Sequence, residues 1–151
     1  MNIYEEQLNN FFVNIFNDIL HLEEESLKKG NFENLSVNEM HVIEAVCDGE
    51  KDGFNTMKQL SNKLMITASS LTIAVKTLEQ KGYLIREKDK LDKRKVVVAS
   101  TDLAKQAYNH HKKFHSDLIS SVSGTLNEAE LAALTLALGT LHRFFITLKD
   151  T

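Results

Sequence analysis

Residues 56–98, TMKQLSNKLMITASSLTIAVKTLEQKGYLIREKDKLDKRKVVV, contain the pattern that decides the fold. Apolar residues at helical spacing predict a short helix from Thr56 to about Met65 and a second helix, capped by Thr67, over residues 68–81. Gly82 is a helix stop signal, and two strand-like runs, 83–86 and 96–99, then flank a charged loop. Two short helices, a tight turn and a hairpin predict a winged helix-turn-helix in a mostly α chain with a small β-hairpin wing.

The same segment is basic within an acidic protein. Residues 56–98 carry ten Lys/Arg and four Asp/Glu, a balance of +6, whereas the whole chain of 151 residues has a net charge of −3. The remainder of the chain therefore carries −9. Because a positive lobe attracts a polyanion while an acidic remainder is repelled by it, double-stranded DNA is the partner we expect.

The second helix of this segment separates two faces. Leu71, Val75 and Leu78 follow the spacing i, i+4, i+7 and are expected to pack inward. A helix that lies in the major groove, which is about 12 Å wide, needs a small polar face with little negative charge. We expect this face to contact DNA through the outward residues Ser69, Ser70, Thr72, Ile73, Lys76 and Thr77.

The loop between the strands is the more specific signal. An arginine at a hairpin tip, here Arg94 beside Lys93, can enter a narrow minor groove, where the negative potential is strongest. Asp92, two residues before the arginine, can hold its guanidinium in a bidentate pair. The alternative, a solvated charged turn, is less favoured directly after a helix of this kind.

Long helices flank the winged segment. Apolar spacing predicts a first helix ending near Gly30, and Ser36 with Glu39 predicts a capping box for a second helix that ends near Asp48. Residues 48–55 are then expected to form a loop. Thr101 is expected to cap a fifth helix and Asn127 a sixth, and the sixth is apolar on several sides, so we expect it to be enclosed.

Composition and motifs exclude several other classes. A single cysteine, Cys47, excludes an intramolecular disulfide, and the acidic N-terminal segment lacks the features of a signal peptide. We expect a cytoplasmic protein with no membrane partner, because no run approaches the roughly 20 apolar residues of a membrane span. No phosphate-binding glycine loop, nucleophile elbow or HExxH motif indicates an enzyme.

The winged segment resembles the core of MarR-type transcriptional regulators, with the Asp-x-x-Asp-x-Arg wing of that family at Asp89, Asp92 and Arg94. The resemblance extends over essentially the whole chain, although residues 100–104 lack the leucine and glycine common at this junction. It implies one MarR-type chain, with a DNA-binding lobe at residues 36–100 and dimerisation helices at 1–30 and 101–151. The expected assembly is a homodimer on a pseudo-palindromic operator.

Within that family the chain is similar to the FabT-like fatty-acid-synthesis repressors, through IFNDILHLEEESL, LSVNEMHVIEAV, LEQKGYLIR and HHKKFH. The likeness implies repression of lipid-synthesis genes, strengthened by long-chain acyl groups on acyl carrier protein, with no cofactor required. Lys28, Lys29, Lys112 and Lys113 are candidates for docking this acidic partner. The acyl chain would enter an effector pocket lined by Phe12, Ile15, Phe16, Ile19, Leu20, Met40 and Ile43, which would otherwise be ordinary core.

The histidines support an alternative effector. Zinc needs three or four N/O ligands that converge on one point, and His111 and His115 are one helical turn apart. Zinc-sensing MarR-type repressors carry a similar His/Glu set, which would correspond here to Glu24, His41, His111 and His115. The alternative function is therefore a zinc-responsive repressor of metal-uptake genes. A redox role for Cys47 is disfavoured, because nearby acids raise the pKa of a thiol.

Overall fold

The computed structural model describes residues 1–150 and contains, in that range, six helices and two strands. The helices are α1 (Ile3–Lys29), α2 (Val37–Asp52), α3 (Met57–Leu64), α4 (Ala68–Gln80), α5 (Asp102–Thr125) and α6 (Glu128–Lys149). Strands β1 (Leu84–Lys88) and β2 (Val96–Ser100) lie between α4 and α5. This order confirms the predicted mostly helical winged helix-turn-helix.

Helix starts follow local capping chemistry. The Ser36 hydroxyl accepts from the Glu39 amide at 3.1 Å, and the Glu39 carboxylate accepts from the Ser36 amide at 2.9 Å, so the predicted capping box is confirmed. Asn127 caps α6 through the same exchange with Glu130. Thr67 caps α4 as predicted, and the Thr101 hydroxyl accepts from the Ala104 amide at 3.3 Å at the start of α5.

The predicted end of α2 is wrong. The helix continues past Asp48 to Asp52, and Gly53 ends it in the left-handed region with φ 73°. Gly49, which resembles a stop in the sequence, lies inside the helix, because its missing side chain leaves room for the carbonyl of Phe54. The Phe54 amide donates back to the Gly49 carbonyl at 2.8 Å.

The two strands form an antiparallel hairpin, as predicted, with Leu84 opposite Ser100 and Lys88 opposite Val96. Asn55 ties the start of α3 to this hairpin: its carbonyl accepts from the Val98 amide at 2.9 Å, and its side chain donates to the Val98 carbonyl at 2.8 Å. The wing is therefore joined by hydrogen bonds to the segment that begins the helix-turn-helix.

The core lies where α2, α3, α4 and the hairpin pack together. Its fully buried side chains include Met40, Ile43, Val46, Leu60, Leu71, Val75, Leu78, Leu84 and Val98. Burying a side chain of this size contributes about 1.5–3 kcal/mol. This packing fixes the angle at which α4 and the wing are presented.

The chain divides into two compact units, one of residues 1–114 and one that begins at His115. The second contains the end of α5 and all of α6. Within this single chain the expectation that α6 is enclosed is wrong, because none of its residues is buried. Large apolar side chains remain exposed along it, among them Leu136, Leu138, Phe144 and Phe145.

The expectation that no segment could span a membrane is also wrong in its stated form. Helix α6 has 22 residues, and an 18-residue stretch of it has a mean hydropathy of 1.6, so its length and composition alone would allow it to cross a bilayer. The apolar spacing that makes α6 a suitable partner for another helix also raises its hydropathy, so hydropathy alone does not separate packing against a helix from crossing a bilayer.

Candidate DNA-binding surface

Helix α4 presents the outward face that the sequence predicts. Leu71, Val75 and Leu78 are fully buried in the core. On the opposite side the structure brings the predicted DNA-reading residues onto one helix face: Ser69, Ser70, Thr72, Ile73 and Lys76 are exposed and Thr77 is half-buried. This face contains no carboxylate.

The hydroxyl groups at the start of α4 form a connected set. The Thr67 side chain accepts from the Ser70 amide at 3.1 Å and donates to the Ser70 hydroxyl at 2.8 Å. The Thr72 hydroxyl donates to the Ala68 carbonyl at 2.9 Å. The hydroxyl proton of Ser70 is thus available for a base acceptor such as guanine O6, whereas Thr72 offers its lone pairs and methyl group. The N-terminal end of a recognition helix is the part that contacts base edges.

Ile73 is the one large apolar side chain on this face, and it is 68% exposed. An isoleucine exposed to water does not contribute the stabilisation that it would contribute in the core. Its exposure in the middle of this face therefore indicates a contact with a binding partner. Apolar contact with the thymine methyl group is the match that the major groove offers.

The wing holds its arginine as predicted. Asp92 accepts from Arg94 Nε at 3.1 Å and from Arg94 Nη2 at 3.2 Å, which confirms the bidentate pair. The same carboxylate accepts from the Arg94 amide at 3.1 Å, and these hydrogen bonds hold the pKa of Asp92 below its usual range. The Arg94 side chain nevertheless remains 90% exposed. The guanidinium is oriented but free to contact DNA.

A cleft of about 510 Å³ lies between the start of α3 and the wing. Its basic lining residues are Lys58, Arg94 and Lys95. Lys58 and Lys95 are not among the DNA-contacting residues predicted from the sequence. The bridge that pairs Thr56 with Val97 brings the start of α3 against the wing, and no local sequence signal shows this pairing. The N-terminus of α3 beside three cations is a suitable position for a backbone phosphate.

The acidic groups nearest α4 are neutralised. Arg86 Nε lies 2.7 Å from Glu79 Oε1, and this ion pair joins α4 to β1. Lys81 Nζ donates to Glu39 Oε2 at 2.9 Å, and it also donates to the Asn34 carbonyl. Both carboxylates therefore serve to fix the position of α4 while their negative charge is compensated.

Comparison with known proteins agrees with this geometry. The sequence model of the MarR family matches residues 33–95. FabT from Streptococcus pneumoniae, solved in complex with DNA, is 30% identical, with 95% of this chain and 99% of that chain covered and a TM-score of 0.88. The chain belongs to the MarR family. It is accordingly a DNA-binding transcription regulator of that family. A search of curated proteins gave no match.

Less similar solved structures show the same fold. MepR from Staphylococcus aureus, in a DNA complex, is 16% identical, with 89% of this chain and 96% of that chain covered and a TM-score of 0.75. YusO from Bacillus subtilis is also 16% identical, with 93% and 95% covered and a TM-score of 0.67. At these identities the likeness concerns the fold alone.

The candidate effector residues of this MarR-family chain fall into two groups. Phe12, Ile15 and Ile19 are half-buried on α1, with Phe16 and Leu20 exposed beside them. Met40 and Ile43, by contrast, are fully buried in the core. An acyl chain that reached this second pair would have to displace core packing, so α1 carries the accessible part of the predicted pocket.

The histidines of the alternative zinc set contact a different carboxylate from the expected one. Glu24 is exposed, whereas Glu23 is buried and its Oε2 lies 3.2 Å from His41 Nε2. The rings of His41 and His111 are 5.9 Å apart, and His111 Nε2 lies 3.1 Å from Glu44 Oε2. His115 belongs to the second unit. The choice of Glu24 is wrong, because the register of α1 turns Glu23 toward α2.

Cys47 is buried, and burial is the main cause that raises the pKa of its thiol, with the charges of Glu50 and Asp48 adding to it. A protonated, enclosed thiol is a poor nucleophile. The structure therefore supports the view of Cys47 as an inert core residue.

Proposed function

We propose that this protein is a dimeric repressor of fatty-acid and lipid synthesis genes that responds to long-chain acyl groups carried on acyl carrier protein. The observation that carries the proposal is the similarity to Streptococcus pneumoniae FabT over nearly the full length of both chains. The DNA-reading face of α4 and the Asp92–Arg94 pair supply the physical means to bind an operator.

In this proposal the two subunits bind a pseudo-palindromic operator whose half-sites are about one helical turn, or 34–36 Å, apart. Each α4 enters a major groove with Ser69, Ser70, Thr72, Ile73, Lys76 and Thr77 toward the bases. Each wing places Arg94 in the adjacent minor groove, with Lys93 beside it. The hydrogen bonds between Asn55 and Val98 hold the wing against the start of the helix-turn-helix that presents α4.

The exposed apolar helices support the dimer. Ile3, Tyr4, Val13 and Phe16 of α1 are each more than half exposed, as are Leu136 and Phe144 of α6. Exposed apolar surface on this scale marks an interface in a soluble protein. Sedimentation of Leu138→Glu tests the dimer: we expect the variant to dissociate and to lose operator binding, and a wild-type monomer that binds the operator tightly would contradict it.

The effector is tested by operator gel shifts with acylated carrier protein, using the same carrier protein without an acyl chain as the matched control. We expect the acylated form to tighten operator binding and the free form to leave it unchanged, because only the acyl chain can enter an apolar site. Equal effects of the two forms, or none from either, would contradict the acyl proposal while leaving DNA binding intact.

The alternative, a zinc-responsive repressor of metal-uptake genes, is supported by the cluster of Glu23, His41 and His111. These groups have the chemistry of zinc ligands, and bond lengths near 2.0–2.2 Å would require them to move closer together. Zinc and a chelator are therefore added in parallel gel shifts of the wild type and of His41→Gln. Tightening by zinc in the wild type alone, with no effect of acylated carrier protein, would favour this function over the first.

A further inference from the structure

We propose that a pocket at the base of the wing binds the phosphate group of a small phosphorylated ligand. This wing-base pocket has a volume of about 440 Å³ and lies wholly within residues 1–114. It is lined by Cys47, Glu50, Lys51, Ser100, Lys105, Tyr108, Asn109 and Lys112. Its size falls within the range of roughly 300–1,000 Å³ that is typical of small-molecule sites.

The lining of this pocket is positive, in contrast to the acidic part of the chain to which most of it belongs. Lys51, Lys105 and Lys112 line it, although all three belong to the part of the chain whose net charge is −9. Within residues 1–150, no ion pair joins any of these three ammonium groups to a carboxylate. Three lysines thus share one pocket without a direct acidic partner in the described chain.

The neighbouring acids form hydrogen bonds with the residues of the pocket walls. The Glu50 carboxylate accepts from the Ser100 amide at 2.5 Å, which joins the end of α2 to the end of β2. The Asp48 carboxylate accepts a hydrogen bond from the Tyr108 hydroxyl. Because these carboxylates hold the pocket walls together, they leave the lysines available to an incoming anion.

Two of the ammonium groups lie close to the Tyr108 ring. Lys51 Nζ lies 4.9 Å from the centroid of this ring and Lys112 Nζ lies 5.3 Å from it, and Lys51 also donates to the hydroxyl at 3.0 Å. That hydrogen bond is the main cause that raises the pKa of Lys51, so the amine is charged at neutral pH. Two like charges near one ring repel each other, and a bound anion would relieve this repulsion.

The ligand chemistry follows from these groups. A phosphate monoester carries up to two negative charges and several acceptor oxygens, which suits three separate ammonium groups that each act as a point charge. The Tyr108 ring and the buried Cys47 add an apolar wall, so the rest of the ligand would be small and partly apolar. Since Ser100 ends the second strand of the wing, a ligand held here touches the strand that follows the loop carrying Arg94.

The proposal is tested by titrating phenyl phosphate and inorganic phosphate into the ¹⁵N-labelled protein at constant ionic strength and without DNA. We expect the amide signals of Ser100 and Asn109 to shift, with phenyl phosphate binding more tightly than inorganic phosphate. The double variant Lys105→Gln/Lys112→Gln removes two exposed cations without touching the core. Its affinity should fall by about tenfold per ammonium, the effect of roughly 1.4 kcal/mol each.

Lys149→Gln, which removes an exposed lysine outside this pocket, is the matched control and should bind like the wild type. Shifts confined to the wing tip at Lys93 and Arg94 would overturn the proposal, because they would reflect the DNA-binding surface alone. Equal affinities in the double variant and in the wild type would also overturn it. Neither result depends on which effector controls operator binding.

Discussion

Replacement of Arg94 by alanine should weaken operator binding by two to four orders of magnitude. Arg94 is 90% exposed, and its guanidinium donates hydrogen bonds to Asp92 on the same turn, so its removal leaves the fold unchanged. A hydrogen bond to a charged group contributes about 1.5–3 kcal/mol. The two wings of the proposed dimer would therefore lose about 3–6 kcal/mol, which corresponds to roughly 10²- to 10⁴-fold in Kd.

Asp92→Asn isolates the effect of orienting that arginine. The variant removes a negative charge from each wing, so net charge alone predicts tighter binding to DNA. Loss of the bidentate pair instead frees the rotamers of Arg94, at a cost of up to about 2 kcal/mol per wing. Because the charge effect is screened at the surface, we expect the orienting effect to dominate and affinity to fall by about tenfold overall.

Both variants are measured against the wild type by fluorescence anisotropy on one operator, over a range of salt concentrations. Arg94→Ala should also reduce the magnitude of the log–log salt slope by about 2, since each lost phosphate contact contributes about 0.9. Wild-type affinity in Arg94→Ala would refute the minor-groove role of the wing. Equal or tighter binding by Asp92→Asn would refute the orienting role of the pair.

Three further substitutions test other parts of the structure. Ile73→Ala removes the apolar contact proposed with a thymine methyl group, so it should reduce the preference for thymine over cytosine at that position by about 1–3 kcal/mol. Binding to operators with single T-to-C changes measures this preference. Gly49→Ala should lower the free energy of unfolding by about 1–3 kcal/mol, since its Cβ would meet a backbone carbonyl, whereas Gly124→Ala, with open space around it, should not. Lys81→Met should destabilise the protein by about 1 kcal/mol at pH 7. Burial raises the pKa of Glu39, but its hydrogen bonds, including the one from Lys81, lower the pKa by more, so the folded-state pKa lies below the unfolded-state value. The stabilisation by this pair is therefore present above the unfolded-state pKa and is lost as the pH falls through the folded-state pKa. In acid denaturation the stabilities of Lys81→Met and of the wild type should converge.

Features that depend on local chemistry were predictable from the sequence. Ser36 with Glu39, Thr67 and Asn127 mark helix starts through side-chain oxygens that satisfy free backbone amides, and a few adjacent residues suffice to recognise them. The two faces of α4 follow from a spacing of three to four residues. The Asp92–Arg94 pair is likewise local, because its partners are two residues apart in one turn.

Features that depend on distant packing were not predictable. Gly49 lies inside α2 because the chain turns only at Gly53, and the turn then brings the Phe54 carbonyl so close to Gly49 that a side chain would not fit; the apolar spacing of α2 does not show this. Glu23 rather than Glu24 faces His41, which depends on how α1 is rotated against α2. The wing-base pocket brings Lys51 together with Lys105, which is more than fifty residues away in the chain.

The prediction that α6 is buried was wrong for the single chain. Apolar spacing indicates that a helix packs against other apolar surface, but it does not show whether the same chain or another chain provides that surface. Leu136 is 72% exposed and Leu138 is 47% exposed within this chain. In the proposed dimer the missing cover comes from the second subunit.

The salt dependence of operator binding tests the central claim most directly. About five phosphate contacts per subunit, supplied by α4, the wing and the start of α3, predict a log–log slope near −9 for the wild-type dimer. A slope near this value between low and physiological salt, with a clear preference for a pseudo-palindromic operator, is the result we predict. A nearly flat dependence would contradict direct DNA binding by this surface.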